Sequence, residues 1–242
     1  GDSISSVFGT HCSRIVVEAD PDHTHGVAKL PDGVSDEAGS LFVMPAVGLF
    51  GVDMAGPRLG ETAVVYGCGM IGLGVVAACS HRGIRVIAVD LDSARLDIAR
   101  QLGADDVING DDRDVAAEVE RITPGGADSV FECTGIPACV NDAVKLCKLC
   151  GRFIFQGNYG EAPIPFEFLS PHGRRVTAYF PSDDGQRPCR RAVLKNMAMG
   201  ALDWEKTVTH RVPAAEAPAF YDRLNKGEAG NVLGAVIQWE AS

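Results

Sequence analysis

The 242-residue sequence has no surplus of positive charge: 22 Lys and Arg stand against 32 Asp and Glu, a formal net charge of −10. Binding a phosphate backbone needs a basic, counterion-releasing surface, so this balance excludes nucleic acid as a partner. No apolar run reaches the ~18 residues of a membrane span, which excludes a transmembrane segment. No charged n-region followed by an apolar h-region opens the chain, so no secretory signal is read. Internal repeats and low-complexity segments are also missing. A disulfide framework is not indicated either. The eight cysteines (12, 68, 79, 133, 139, 147, 150 and 189) are scattered, several in apolar helix or strand patterns. That distribution suits reduced thiols in a cytoplasm. Cys147 and Cys150 in "KLCKLC" have metal-like spacing. No second C-x-x-C or nearby His completes a tetrahedral set, and ordinary packing within a helix is expected of them.

The sequence does contain enough apolar material for a substantial core: 46% hydrophobic against 22% charged residues, the balance of an ordinary globular protein. From residue 62 onward, strand-like and helix-like blocks alternate. "TAVVYG", "IRVIAVD" (84–90), "DDVIN", "DSVFECTG", "GRFIFQG" and "RRVTAYF" (174–180) read as strands. Residues 69–81 read as a helix, and so does 93–103, with Ser93 as N-cap and Gly103 at its end. Two more follow, 113–123 stopped by Pro124-Gly125-Gly126, and "PACVNDAVKLCK" opened by Pro137. Strands separated by helices of this length imply right-handed βαβ crossovers and a doubly wound parallel α/β sheet. The ends differ. Residues 1–30 carry strand-like pieces ("SRIVVEAD", "GVAKLPDG"), and 187–242 give two helices and a last strand, "AVIQWE".

Between the first strand and the first helix stands Gly67-Cys68-Gly69-Met70-Ile71-Gly72, a G-x-G-x-x-G. Gly67 permits the tight turn, Gly69 lets the backbone approach a pyrophosphate, and Gly72 lets the helix pack on the strand. The helix N-terminus then offers N–H groups and positive dipole to the phosphates. Asp90 closes the second strand, where an acidic side chain accepts the ribose hydroxyls. Leu91 and Asp92 follow it, with no immediate basic residue for a 2′-phosphate, which favours NAD over NADP.

At this point the chain resembles the medium-chain dehydrogenase/reductase family, the zinc-type alcohol and polyol dehydrogenases. The likeness runs through "VAKLPDGVSDEAGSL", "GPRLGETAVVYGCGMIG", "VDLDSARLDIARQLGADDVIN", "FECTG" and "THRVPAAEAPAFYDRLNKGEA". The resemblance implies a Rossmann cofactor domain at about 47–180. It assigns 1–46 and 181–242 to remnants of a GroES-like substrate domain. It implies that Gly67, Gly69, Met70, Ile71 and Gly72 hold the pyrophosphate, Asp90 the adenosine ribose, and that Arg95 lies near the adenosine. Cys133, Thr134 and Gly135 would pass the nicotinamide ribose, and the backbone around Gln156 and Gly157 would meet the carboxamide. A small-molecule substrate and homo-oligomerisation are further implications. One departure stands near the end: where the family often has a basic residue for the pyrophosphate, this chain has Gly234.

The family's zinc polarises the alcohol oxygen and prepares hydride transfer. The resemblance places its C-x-G and G-H-E ligand segments, and the Cys-rich structural lobe, upstream of Gly1. A start at Gly1-Asp2 without an initiator methionine points to a fragment. The remaining ligand slot, around "FVMPAVGLFG", offers Val43, Met44 and Pro45, so no zinc is placed in this polypeptide. His11 and Cys12 are adjacent in a strand-like run and point to opposite faces. His23 and His25 read as a solvated loop, and His210 in "THRVP" as a structural turn. Asn158, Tyr159 and His172 could face substrate by position alone. Catalytic residues therefore stay unassigned. The readings kept open are an NAD-dependent dehydrogenase of a secondary alcohol, polyol or cyclitol, a zinc-free short member with other NAD-linked chemistry, and a non-catalytic nucleotide-binding module.

Overall fold

The central strand of the molecule, Thr62–Tyr66, is the product of three small or β-branched residues, Ala63, Val64 and Val65, all fully buried. The computed structural model describes residues 30–239. The expected strand at "SRIVVEAD", the first half (26–29) of that at "GVAKLPDG", and His11, Cys12, His23 and His25 lie outside the described residues.

Among the described residues two helices precede that strand, α1 (Asp36–Ser40) and α2 (Val43–Ala55). The alternating part then runs β1 (Thr62–Tyr66), α3 (Met70–Ser80), β2 (Arg85–Asp90), α4 (Ser93–Gln101), β3 (Asp106–Asn109), α5 (Val115–Ile122), β4 (Ala127–Glu132), α6 (Val140–Val144), β5 (Cys147–Phe155), α7 (Leu169–Gly173) and β6 (Thr177–Tyr179). The C-terminal part adds α8 (Gln186–Ala198), β7 (Val208–Pro213), α9 (Ala217–Asn225) and β8 (Gly234–Gln238). The first six strands form one sheet in the order β3-β2-β1-β4-β5-β6, every pairing parallel. The fold is thus a Rossmann-type α/β sheet.

Registration puts Val64 beside Ile87 and Val130, and Val130 beside Phe153. These four share one core with Val119 of α5 and Val140, Ala143 and Val144 of α6. Their neighbours Ala63, Val65, Ala88, Phe131 and Ile154 share the opposite core with α2, α3, α4 and α8. Burial on both faces explains why these strands are nearly continuous apolar runs rather than alternating ones.

Helix α2 is the largest element that the sequence reading does not foresee. Its Pro45, Gly48 and Gly51 carry little helix propensity. Pro45 sits in the first turn, where no intrahelical N–H is required. The glycines answer to packing: a Cβ on Gly48 would lie 2.7 Å from Ile71 O and Val75 N, and one on Gly74 would lie 2.7 Å from Pro45 Cα. The two helices touch backbone to backbone.

Four local expectations are corrected. The N-cap of α4 is Asp92, not Ser93; its carboxylate accepts from the Ala94 and Arg95 N–H groups. The helix expected over 137–148 is a 3₁₀ turn at Pro137–Cys139 followed by the short α6. Cys147 and Cys150 therefore lie on β5, not on a helix. The strand shifts register between its pairings with Ala127 and Ser129, and Cys150 takes a left-handed φ of 57°. His210 lies in β7, which pairs in parallel with β8, and not in a turn.

Candidate functional site

The carboxyl ends of β1 and β4 mark the point where chain order reverses across the sheet, outward through β2 and β3 on one side and through β5 and β6 on the other. In such sheets a crevice opens there. Gly67 leaves β1 with φ +100°, and its N–H donates to Val89 O at 2.8 Å. A side chain at Gly67 would meet Thr134 N at 3.0 Å, and one at Gly72 would meet Gly67 O at 1.9 Å. The turn is therefore pinched between the β4 loop and its own helix. Gly69 is different: a Cβ there meets nothing within 4 Å, and no side chain caps α3. By contrast α4 and α5 are capped by Asp92 and Asp114. Beside that open space lie the first N–H groups of α3, at half-buried Met70 and Ile71, and no carboxylate of the described residues caps them. Such a helix start suits an anionic group.

Asp90 is anchored beside this opening. Its Oδ2 accepts from the Cys68 N–H at 2.6 Å and its Oδ1 from the Asp92 N–H at 2.9 Å. A carboxylate has about four acceptor positions, so two bonds leave capacity for hydroxyl donors. The buried Cys68 thiol is pushed up by burial and then by Asp90, while Arg95 opposes the shift; the three groups share one corner. Arg95 Nε is buried there without a hydrogen-bond partner.

On the other side of the crevice, the Cys133 N–H donates to Tyr66 O at 2.8 Å, and burial followed by Glu132 holds the Cys133 thiol well above the usual range. Gly135 has φ +68°, and a Cβ on it would lie 2.8 Å from Asn158 O; one on Gly157 would lie 2.5 Å from Gly135 N. The loops after β4 and β5 are in backbone contact. The N–H groups of Gln156 and Gly157 both donate to Glu132 O, at 2.9 and 2.8 Å. The side chain of Gln156 turns away into the core, where Nε2 donates to Val47 O at 3.1 Å and Oε1 lies against Gly51 without a hydrogen bond. The twelve residues singled out from the sequence thus lie at or just beyond the carboxyl ends of β1, β2, β4 and β5, with Met70, Ile71 and Gly72 in the first turn of α3 and Arg95 in that of α4.

Sequence reasoning misses Glu132. This carboxylate is 0% exposed at the end of β4, and it accepts from the Thr134 N–H at 3.1 Å and from the hydroxyls of Thr134 and Tyr159. The signal was an acid closing an otherwise apolar strand, the position that Asp90 holds on β2. Tyr159, a candidate for facing substrate, has its hydroxyl on Glu132. Its phenol is held above the usual range by burial and then by that bond. Asn158 accepts from the Gly160 N–H at 3.0 Å. His172 stacks on Phe168 at 4.8 Å beside a separate apolar pocket of about 280 Å³, and His210 packs on Phe220 at 5.6 Å.

Among the described residues no three His, Cys, Asp or Glu side chains converge as metal ligands, and Val43, Met44 and Pro45 form the apolar first turn of α2. These residues do not fit a zinc ion. At Gly234 a Cβ would lie 2.6 Å from Thr207 O, so packing favours glycine there.

Residues 71–198, more than half of the chain, match the family model for zinc-binding dehydrogenases. The chain belongs to this family. Sorbitol dehydrogenase 1 of Saccharomyces cerevisiae is 31% identical to it over 87% of this chain and 60% of its own length. The (R,R)-butanediol dehydrogenase of Bacillus subtilis is 33% identical over 76% of this chain and 53% of its own. Among solved structures, an Escherichia coli oxidoreductase/dehydrogenase of unknown specificity superposes with a TM-score of 0.80 at 30% identity, covering 88% of this chain and 60% of that one. The chain therefore spans no more than about 60% of the length of these relatives.

Proposed function

We propose that this chain forms the cofactor-binding part of an NAD-dependent oxidoreductase of the medium-chain type, acting on a secondary alcohol, polyol or cyclitol. The observation that carries the reading is the pairing of an uncapped α3 N-terminus over open space with an Asp90 carboxylate tied to the same loop. In this reading Gly67, Gly69, Met70, Ile71 and Gly72 hold the pyrophosphate, Asp90 binds the adenosine ribose, and Arg95 borders the adenosine. Cys133, Thr134 and Gly135 flank the nicotinamide ribose, with the backbone of Gln156 and Gly157 at the carboxamide. Residues 47–180 would be the cofactor domain, and 1–46 and 181–242 parts of the substrate domain. The bound nicotinamide, when present, exchanges a hydride with the substrate carbon. The chain's own part is to hold the dinucleotide, to keep the two crevice loops rigid through Glu132, Thr134 and Tyr159, and to exclude a 2′-phosphate by the charge of Asp90. NAD should bind at least ~10-fold tighter than NADP, about 1.4 kcal/mol.

The substrate class comes from the relatives' named activities, sorbitol and butanediol oxidoreduction. The seven free cysteines among the described residues suit the reducing cytoplasm. No helix of the described residues is long and apolar enough to cross a membrane. A zinc-free member with other NAD-linked chemistry is the second reading, favoured by the missing ligand set among the described residues. One preparation separates the two. Formation of NADH from NAD with sorbitol or butanediol, together with zinc that survives dialysis against a chelator, would support zinc catalysis and overturn our ligand assignment. Turnover with well under one zinc per chain supports the zinc-free reading. NAD binding with no turnover on any alcohol leaves a nucleotide-binding module.

A further inference from the structure

Arg95 is the basic side chain that the structure sets beside the Asp90 corner, and it is not left to itself. Asp92 Oδ2 lies 3.7 Å from Arg95 Nε, with both side chains about one-third exposed or less. Asn231, from the segment between α9 and β8, bridges the pair: its Nδ2 donates to Asp92 Oδ2, and its Oδ1 accepts from Arg95 Nη2 at 3.5 Å. Asp92 is itself fixed. Its Oδ1 accepts from the Ala94 N–H at 2.8 Å and its own N–H donates to Asp90 Oδ1 at 2.9 Å.

We infer that Asp92 and Asn231 restrain and neutralise Arg95, and that this clasp is a second determinant of NAD over NADP beside Asp90. The inference rests on the dinucleotide reading above. The guanidinium is the chemistry that binds a phosphate, and its Nε is buried with no hydrogen bond, so the clasp leaves it a donor in want of an acceptor. Released from the paired carboxylate, it can turn that donor set onto a 2′-phosphate. Held, it presents little net charge, and the Asp90 and Asp92 carboxylates dominate the corner. Selectivity at the ribose is thereby set partly by a residue 136 positions away in sequence, in the C-terminal segment.

The test is calorimetric titration of NAD and NADP into the wild-type chain, Asp92→Asn, Asn231→Ala, and the double variant Asp92→Asn/Arg95→Ala. Asparagine caps a helix as well as aspartate, so Asp92→Asn removes the charge and keeps α4. The ratio of NADP to NAD dissociation constants should fall by about 5-fold or more in Asp92→Asn, the scale of one partly screened ion pair. Asn231→Ala should move the ratio the same way by a smaller factor, and it disturbs no cap. The gain in NADP affinity should weaken with salt and vanish in the double variant. An unchanged ratio in both single variants, with NAD still preferred by the wild type, overturns the clasp and leaves the cofactor reading intact. A wild-type chain that binds neither dinucleotide overturns both.

Discussion

Gly69 and Gly72, three residues apart in one loop, are glycines for opposite reasons. Gly72 has no room for a side chain, because its Cβ would stand 1.9 Å from Gly67 O. Gly72→Ala should therefore cost stability, about 1–3 kcal/mol as an overpacked contact, read as a lower urea midpoint. Gly69 has room and uses none of it. This motif and Asp90 were legible because each demands a specific residue type at a fixed spacing. Glu132 was not, since a lone acid at a strand end carries no spacing signal. The thiols add a pH signature. Burial raises Cys79 and Cys147 to about 12, so their neutral forms contribute stability fully below the ordinary value of 9.0. That contribution is lost as pH climbs toward about 12, by roughly 1 kcal/mol per unit for each fully buried thiol. The urea midpoint should fall between neutral pH and a pH midway through that window, and Cys79→Ala/Cys147→Ala should flatten the fall.

At the scale of elements, the parallel strands were readable because their apolar runs are bounded by turn residues. Helix α2 was not, because Pro45, Gly48 and Gly51 carry little helix propensity. What makes it a helix is tertiary: its backbone lies against α3, and Gln156 reaches it from β5. Gly48→Ala should force the two helices apart, costing about 1–3 kcal/mol in urea unfolding. Because α3 starts at the glycine loop, the same variant should weaken dinucleotide binding more than Gly125→Ala, whose Cβ would meet nothing. Equal affinities would separate helix packing from the site. The Cys147–Cys150 pair misled for a related reason. The expected helix stops at Val144, and a parallel pairing with Ala127 takes over at Cys147.

At the scale of the whole molecule, the sheet ends at β6 with large apolar side chains in solvent around it: Phe168 at 63%, Leu169 at 76% and Phe180 at 68% exposure. Among the described residues β6 is paired on one side only, and a sheet edge beside such a surface is a template for a second copy; we propose this face as the contact of the homo-oligomer that the family resemblance implies. Light scattering should report more than one chain per particle, and Phe180→Asp should reduce it; a monomeric wild type would contradict the proposal. The functional reading depends on the proposal that the uncapped α3 N-terminus binds an anion. The most direct measurement is therefore calorimetric titration of NAD into the wild-type chain and into Gly69→Val, with circular dichroism on both. The account predicts saturable NAD binding to the wild type, and none to a Gly69→Val variant that keeps its secondary structure. A folded Gly69→Val chain that binds NAD as tightly as the wild type would place the dinucleotide elsewhere and contradict it.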